Sequence, residues 1–387
     1  MTTRPAARTT NGTRTYTVDL IAGDGIGQEV APAAARCVDR LGSGFGFRVD
    51  WRERDWGSAY YFAHRRMMPV DGIEQMAGGD SILLGAVGHP ELPDHETLWG
   101  LLIPIRREFL QYVNLRPIRM LPGVTSPLRV LDGGPDAPCG GLDLVVVREN
   151  VEGEYSAIGG RGYRGRPEEF AIQEAVFTRA GVARVARFAA ELAATRRGRL
   201  TSATKSNGIV HTMPFWDEVV SSVASEFAGV RVDSVLIDAL AAKIVLDPGA
   251  FDVIVASNLF GDILSDLVAA VAGSIGIAPS ANLNPPRLYP SMFEPIHGSA
   301  PDIAGKGVAN PVGQMWAASL MLDHLGEPEA GEALMAAVES TMAAGIRTAD
   351  LGGGAGTEEF TTAVLDAIDR IVERAARTFE EAAGAAT

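Results

Sequence analysis

Phe251 to Gly276 reads FDVIVASNLFGDILSDLVAAVAGSIG, and this stretch restricts the fold more than any other. Val253, Ile254 and Val255 form an apolar β-branched run, the signature of a strand. The chain turns at Ser257-Asn258 and Gly261, then continues with helical spacing through Asp262 and Asp266. Carboxylates four residues apart on a helix share one face, about 5–6 Å apart at Cβ, and repel unless something offsets them. Leu259, Phe260, Ile263, Leu264, Leu267 and Val268 surround the pair, which predicts that it does not lie on a solvated face. A divalent cation held by oxygen ligands, Mg²⁺ or Mn²⁺, satisfies that arrangement. Pairing with Lys or Arg also satisfies it, and for a bare DxxxD that is the commoner outcome.

A chain of 387 residues predicts two or three domains. Its net charge of −14 argues against nucleic-acid binding as a main role, and an anionic substrate then requires a local arginine cluster. Cys37 and Cys139 give neither a disulfide framework nor a metal-ligand spacing, which fits a reducing cytoplasm. Residues 1–14 lack the apolar core of a signal peptide and are expected to form a disordered tail. The longest charge-free run, Leu267 to Pro286, is broken by Gly, Pro and Asn and reads poorly as a membrane span.

Tyr16 to Ala22 is a strand that runs into GDGIG (Gly23 to Gly27) and then a helix-like segment. The turn lacks the third glycine of a dinucleotide fingerprint, so its glycines are read as allowing close backbone approach. Further strands are expected around Phe47–Arg54, Ser81–Val87, Leu142–Val147, Leu200–Thr204 and Val232–Ile237, with helices over Thr97–Leu115, Thr178–Arg196 and Phe215–Phe227. That alternation implies a largely parallel sheet covered by helices. GGRGYRGRP (Gly159 to Pro167) reads as an exposed loop or arm, and the alternating FAIQEAVFT after it as an edge strand able to pair with a partner. Pro279 to Pro295 reads as a loop, and the chain from Gln314 onward as helical, interrupted at Gly352 to Gly356.

Arg106, Arg116 and Arg148 lie in apolar stretches of an acidic chain, a pattern that suits carboxylate recognition, although single arginines are more often structural. Tyr155 follows Arg148 by seven residues and is a candidate acid; most tyrosines are simply packed. Lys205, at a strand end beside Ser206 and Asn207, is a stronger candidate for a ligand-facing group. Asp238 ends another strand and needs a partner if buried. FEPIHGSAPDIAGKGVANP (Phe293 to Pro311) is polar and turn-rich, able to wrap a nucleotide.

GDGIG, the two-arginine segment, RENVEGEY, TKSN, the Asp238 strand end, NLFGDILSD and HGSAPDIAGKGVANP occur together and in order. From about Tyr16 to the C-terminus the chain resembles the β-decarboxylating dehydrogenases: the isocitrate, 3-isopropylmalate, D-malate and tartrate enzymes. The resemblance implies an α/β, isopropylmalate-dehydrogenase-like two-domain fold and not a Rossmann domain. It places residues 15–111 and 273–387 in a discontinuous cofactor domain, and 112–272 in a central substrate, metal and dimerisation domain. By resemblance Arg106, Arg116 and Arg148 hold substrate carboxylates, and Asp262 and Asp266 bind the metal with Asp238 of the other subunit. Tyr155 and Lys205 form the catalytic pair, Lys205 also crossing the dimer. Glu294, His297, Gly298, Ser299, Ala300, Asp302 and Asn310 line the dinucleotide site, with Asn207 near the nicotinamide. Asp302-Ile303 suits NAD, since an acidic side chain repels a 2′-phosphate. Whether K⁺ assists stays open.

Within the family, Trp99 stands where isopropylmalate enzymes carry a glutamate, and Gly208 where they carry valine; Leu102 and Ile103 keep the apolar pair. Trp99 is therefore expected at the substrate. The segments HPELPDHETLWGLLIPIRREFLQYVNLRP, WDEVV and APSANLNP are most similar to the tartrate/D-malate branch. The expectation is oxidation of a small C4 2-hydroxy diacid: tartrate, or D-malate with decarboxylation to pyruvate. 3-Isopropylmalate is the alternative substrate, and a non-catalytic binding or regulatory paralogue or a metal-dependent phosphohydrolase the alternatives of another class.

Overall fold

The computed structural model describes residues 8–10, 13–131 and 141–385. In chain order the elements are β1 (Arg8–Thr10), β2 (Thr13–Gly23), α1 (Gly27–Phe45), β3 (Phe47–Glu53), α2 (Ser58–His64), α3 (Gly72–Met76) and β4 (Ser81–Ala86). They continue with α4 (Asp94–Thr97), a π-helical turn at Leu98–Leu102, α5 (Ile103–Glu108), β5 (Val113–Arg119), β6 (Asp143–Glu149), β7 (Gly159–Gly162) and β8 (Phe170–Gln173). Next come α6 (Arg179–Thr195), β9 (Arg199–Thr204), α7 (Thr212–Ala224), β10 (Arg231–Leu236), α8 (Ile237–Leu246), β11 (Val253–Ala256) and α9 (Asn258–Val271). The last are β12 (Pro279–Leu283), β13 (Ser291–Pro295), α10 (Val312–Leu325), α11 (Pro328–Ala343) and α12 (Thr357–Ala385).

Two compact units result: 1–109 with 121–125 and 273–387, and 110–120 with 126–272. The expected bounds place Leu121–Thr125 in the central domain, whereas this short segment is counted with the first unit. In that unit β2 pairs in parallel with β3 and β4, β4 in parallel with β13, and β13 antiparallel with β12. Its core gathers Ile21, Trp56, Met76, Ile82, Leu84, Leu101, Ile105, Phe109 and Met292 between sheet and helices. In the second unit the order is β5-β6-β11-β9-β10, antiparallel only between β5 and β6. The strands of each unit are thus largely parallel and helix-covered, as the strand–helix alternation requires. Among the described residues no helix is long and apolar enough to cross a membrane.

Several local readings change. The helix expected over Thr97–Leu115 stops at Glu108, and Arg116 sits on strand β5. Leu110 takes a left-handed φ of 46°, which ends the helical path before the β-branched start of the strand. The expected loop at Pro279–Pro295 is the hairpin β12–β13, fully buried along both strands. Its proline stands first in β12, where no ladder donor is lost. Arg8–Thr10 pairs antiparallel with Thr13–Thr15, where a disordered tail is expected; residues 1–7, 11 and 12 and Cys139 lie outside the described residues. The Gly159–Pro167 arm and the FAIQ strand pair with each other in one exposed hairpin.

Candidate active site

In the second unit, Gly261 decides how closely β6 and α9 approach. A Cβ there would stand 2.6 Å from the Arg148 Cβ, so only glycine lets the arginine strand lie against the helix. Arg148, nearly fully buried, sends Nε and Nη2 to Asn258 Oδ1 (3.0 and 2.7 Å) and pairs through Nη1 with Asp262 Oδ1. Arg116, also buried, donates to Ser265 Oγ at 2.5 Å and approaches Asp262 Oδ1 at 3.5 Å and Asp266 Oδ1 at 3.3 Å. The Tyr155 hydroxyl donates to Asp262 Oδ2 at 2.9 Å, and the Arg148 guanidinium lies 5.5 Å from its ring centre. Burial first, and the Asp262 charge second, hold the Tyr155 phenol above its usual range, so it keeps its proton at neutral pH. Desolvation and the Asp262 charge also raise the Asp266 carboxyl, while Arg116 opposes them. The repulsion inferred from the i, i+4 spacing is therefore present.

The acidic face is open, contrary to the expectation of an apolar surround. The Asp262 side chain is 34% exposed and that of Asp266 55%. Helical periodicity explains this: Phe260, Leu264 and Val268 bury the opposite face, and Ile263 stays exposed beside the aspartates. Oxygen donors of this kind suit a hard divalent cation. Two carboxylates are few for such an ion, and among the described residues no group of three His, Cys, Asp or Glu gathers as a metal site.

Lys205 and Asp238 meet elsewhere in this unit. Lys205 Nζ donates to Asp238 Oδ1 at 2.8 Å, a bond that holds the Asp238 carboxyl below its usual range. Lys205 follows β9 as expected, whereas Asp238 belongs to the first turn of α8 and not to the strand before it. Asn207 lies on the exposed turn after Lys205. Apolar side chains are exposed nearby in sequence: Ile209, Val210, Val245, Leu246 and, on α9, Ile263.

In the first unit a cavity of about 400 Å³ is lined mainly by apolar atoms of Ile26, Ile275, Ala300, Ile303 and Val308, with His297, Asn310 and Asp350 as polar members. His297 Nδ1 donates to Gly298 O at 3.0 Å, so Nε2 is an acceptor, and it is buried without a hydrogen-bond partner. Desolvation lowers the His297 pKa and keeps the ring neutral. The GDGIG turn packs on the same loop: Ile26 N–H donates to Ser299 O at 2.9 Å, and Gly25, at φ 54°, has no room for a Cβ against that carbonyl. Asp302 is exposed on this loop. Glu294 is buried on β13, where Oε1 accepts from Arg106 Nη2 (2.8 Å) and Asn282 Nδ2 (2.7 Å), and it is not among the lining residues. Trp99 lies in the π-helical turn, its ring 4.9 Å from the Arg107 guanidinium.

Residues 17–364 match the family model described as isocitrate/isopropylmalate dehydrogenase. The chain belongs to this family. It is 51% identical over 358 residues, 92% of this chain and 99% of the relative, to the probable tartrate dehydrogenase/decarboxylase of Bacillus subtilis. It is 50% identical over 369 residues, 93% and 99%, to the decarboxylating D-malate dehydrogenase of Escherichia coli. Its structure is similar to that of isocitrate dehydrogenase from Methylococcus capsulatus, with TM-score 0.81 and 30% identity over 91% of this chain and 99% of that one. As an isocitrate/isopropylmalate dehydrogenase family member, the chain is an α/β oxidoreductase.

Sequence reasoning passed over three residues of this dehydrogenase. Asp350 closes one side of the cavity, accepting from Thr348 Oγ1, Ser274 Oγ and Asn310 Nδ2. Little in TADLGGG marks it, because the partners that bring it to the cavity, Ser274 and Asn310, are distant in sequence. Asn258, legible only as part of a turn, and Glu154, one of several acids in RENVEGEY, tie the arginine and tyrosine to α9.

Proposed function

We propose that this chain oxidises a small C4 2-hydroxy diacid with NAD and Mn²⁺ or Mg²⁺: tartrate, or D-malate with loss of CO₂ to give pyruvate. The observation that carries the proposal is the convergence of two buried guanidiniums, a protonated phenol and two open carboxylates on one face of α9. The names of the tartrate and D-malate relatives support the substrate class.

Arg116 and Arg148 bind the substrate carboxylates, each trading its contacts with Asp262 and Asp266 for charge-assisted bonds to substrate. Arg106, held by Glu294, is a further carboxylate ligand in this reading, and Trp99 borders the substrate. A bound divalent metal would supply Lewis-acid stabilisation of developing negative charge on the substrate, and a bound nicotinamide would supply the hydride acceptor. Asp262 and Asp266 hold that metal, and Asp238 of a second copy completes the set. Lys205 takes the hydroxyl proton. Tyr155 delivers a proton to the carbon that loses CO₂, a task suited to a phenol kept neutral. His297, Gly298, Ser299, Ala300, Asp302 and Asn310 serve the dinucleotide, with Asn207 near the nicotinamide. The orphaned His297 Nε2 in a mainly apolar cavity fits a ring bearing an amino donor, and the exposed Asp302 acid favours NAD over NADP.

A homodimer with shared sites is part of the proposal. The separation of Lys205–Asp238 from the α9 cluster supports it, as do the exposed apolar side chains of α8, α9 and the β7–β8 arm. A cytoplasmic setting is supported by the buried free thiol of Cys37. NADH formation on D-malate, L-tartrate, meso-tartrate and 3-isopropylmalate tests the substrate. Preference for 3-isopropylmalate overturns the C4 assignment, and inactivity on all four favours the non-catalytic reading.

A further inference from the structure

The start of α9 is not capped by its own residue. Ser257 occupies the N-cap position, but its hydroxyl donates to Glu154 Oε1 at 2.7 Å. Glu154 Oε2 accepts the Leu259 backbone N–H at 3.0 Å, so a carboxylate from a distant turn satisfies a first-turn donor of α9. Negative charge is favoured there by the helix dipole. The next residue in sequence, Tyr155, reaches Asp262 one turn further along the same helix. Asn258 strengthens the joint, donating through Nδ2 to Glu152 O at 3.0 Å while its Oδ1 holds Arg148. Two adjacent side chains thus grip one helix at two heights. Rotation of the 152–155 turn relative to α9 would break both grips together.

We infer that Glu154 is a positioning residue: it fixes the Tyr155 hydroxyl against Asp262 and so governs proton delivery by Tyr155, not substrate capture. This rests on the proposed role of Tyr155 as the acid. Misplacing a reacting group by about 1 Å costs about a hundredfold in rate, whereas carboxylate binding by the buried arginines needs no contact with Glu154.

The test uses the full-length protein with NAD, Mn²⁺ and D-malate, and compares kcat and KM of Glu154→Ala, Glu154→Gln and Tyr155→Phe with wild type. Expected are a fall in kcat of roughly tenfold to a hundredfold for Glu154→Ala with the D-malate KM nearly unchanged. Glu154→Gln, which keeps an acceptor for Leu259 N–H, recovers part of kcat with KM again unchanged. Should Glu154→Ala fail to fold by circular dichroism, the kcat and KM of Glu154→Gln decide. Wild-type kcat in Glu154→Ala or, where that variant does not fold, in Glu154→Gln, with Tyr155→Phe inactive, overturns the inference and leaves the acid assignment standing. Wild-type kcat in Tyr155→Phe overturns the acid assignment itself.

Discussion

Glu149, at the end of β6, offers a stability experiment whose sign and size follow from its surroundings. The side chain is fully buried; Oε2 accepts the N–H groups of Val151 (3.0 Å) and Glu152 (2.7 Å), and the Arg184 guanidinium stands 3.7 Å from Oε1. Burial outweighs these partners and pushes the carboxyl up to about 7 from the ordinary 4.5. The folded state therefore holds the proton more tightly than the unfolded chain. This stabilisation is complete below about pH 4.5 and is lost as pH rises through about 7. At about 1.4 kcal/mol per tenfold change in proton affinity, the loss amounts to roughly 3 kcal/mol. Glu149→Gln keeps an acceptor for the two N–H groups but cannot ionise. Urea denaturation of both proteins at half-unit steps from pH 4.5 to 8 isolates the effect, because other titrations are common to both. The wild type should lose about 3 kcal/mol relative to the variant over that range. Parallel stability curves would refute the reasoning.

Other substitutions probe the site and its scaffold. Asp262→Asn should weaken Mn²⁺ binding by more than the roughly 10–100-fold that loss of an outer-shell partner costs, measured by calorimetry; unchanged affinity removes the metal assignment. Lys205→Met should leave the far-ultraviolet spectrum intact and abolish turnover. Co-refolding Lys205→Met with Asp262→Asn should restore about a quarter of wild-type activity if sites are shared across a two-fold, since half the dimers carry one intact site; no recovery argues against sharing. Gly25→Ala meets the Ser299 carbonyl at a left-handed φ, so it should cost more than the ~1–2 kcal/mol of that conformation alone, read by denaturation.

The sequence by itself determined the strand–helix alternation and the chemistry-bearing motifs. β-Branched runs, glycine turns and an i, i+4 carboxylate pair act over a few residues, so VIVASNLFGDILSD announces β11 and α9 without help. Family membership was legible for the same reason, in motifs kept short and in order. Tertiary structure alone decided which groups meet. The Thr97–Leu115 segment looks helical locally, but β-pairing of Val113–Arg119 with β6 overrides it and thereby seats Arg116 beside Arg148. Pro279–Pro295 looks like a loop until burial makes it a hairpin that presents Glu294 to Arg106. The offset for the two aspartates comes from arginines more than a hundred residues away, and the cap of α9 from Glu154. Periodicity specifies a face, but it carries no information about the distant charge laid against that face. That depends on strand order, fixed by core burial and backbone hydrogen bonding among the strands of the second unit.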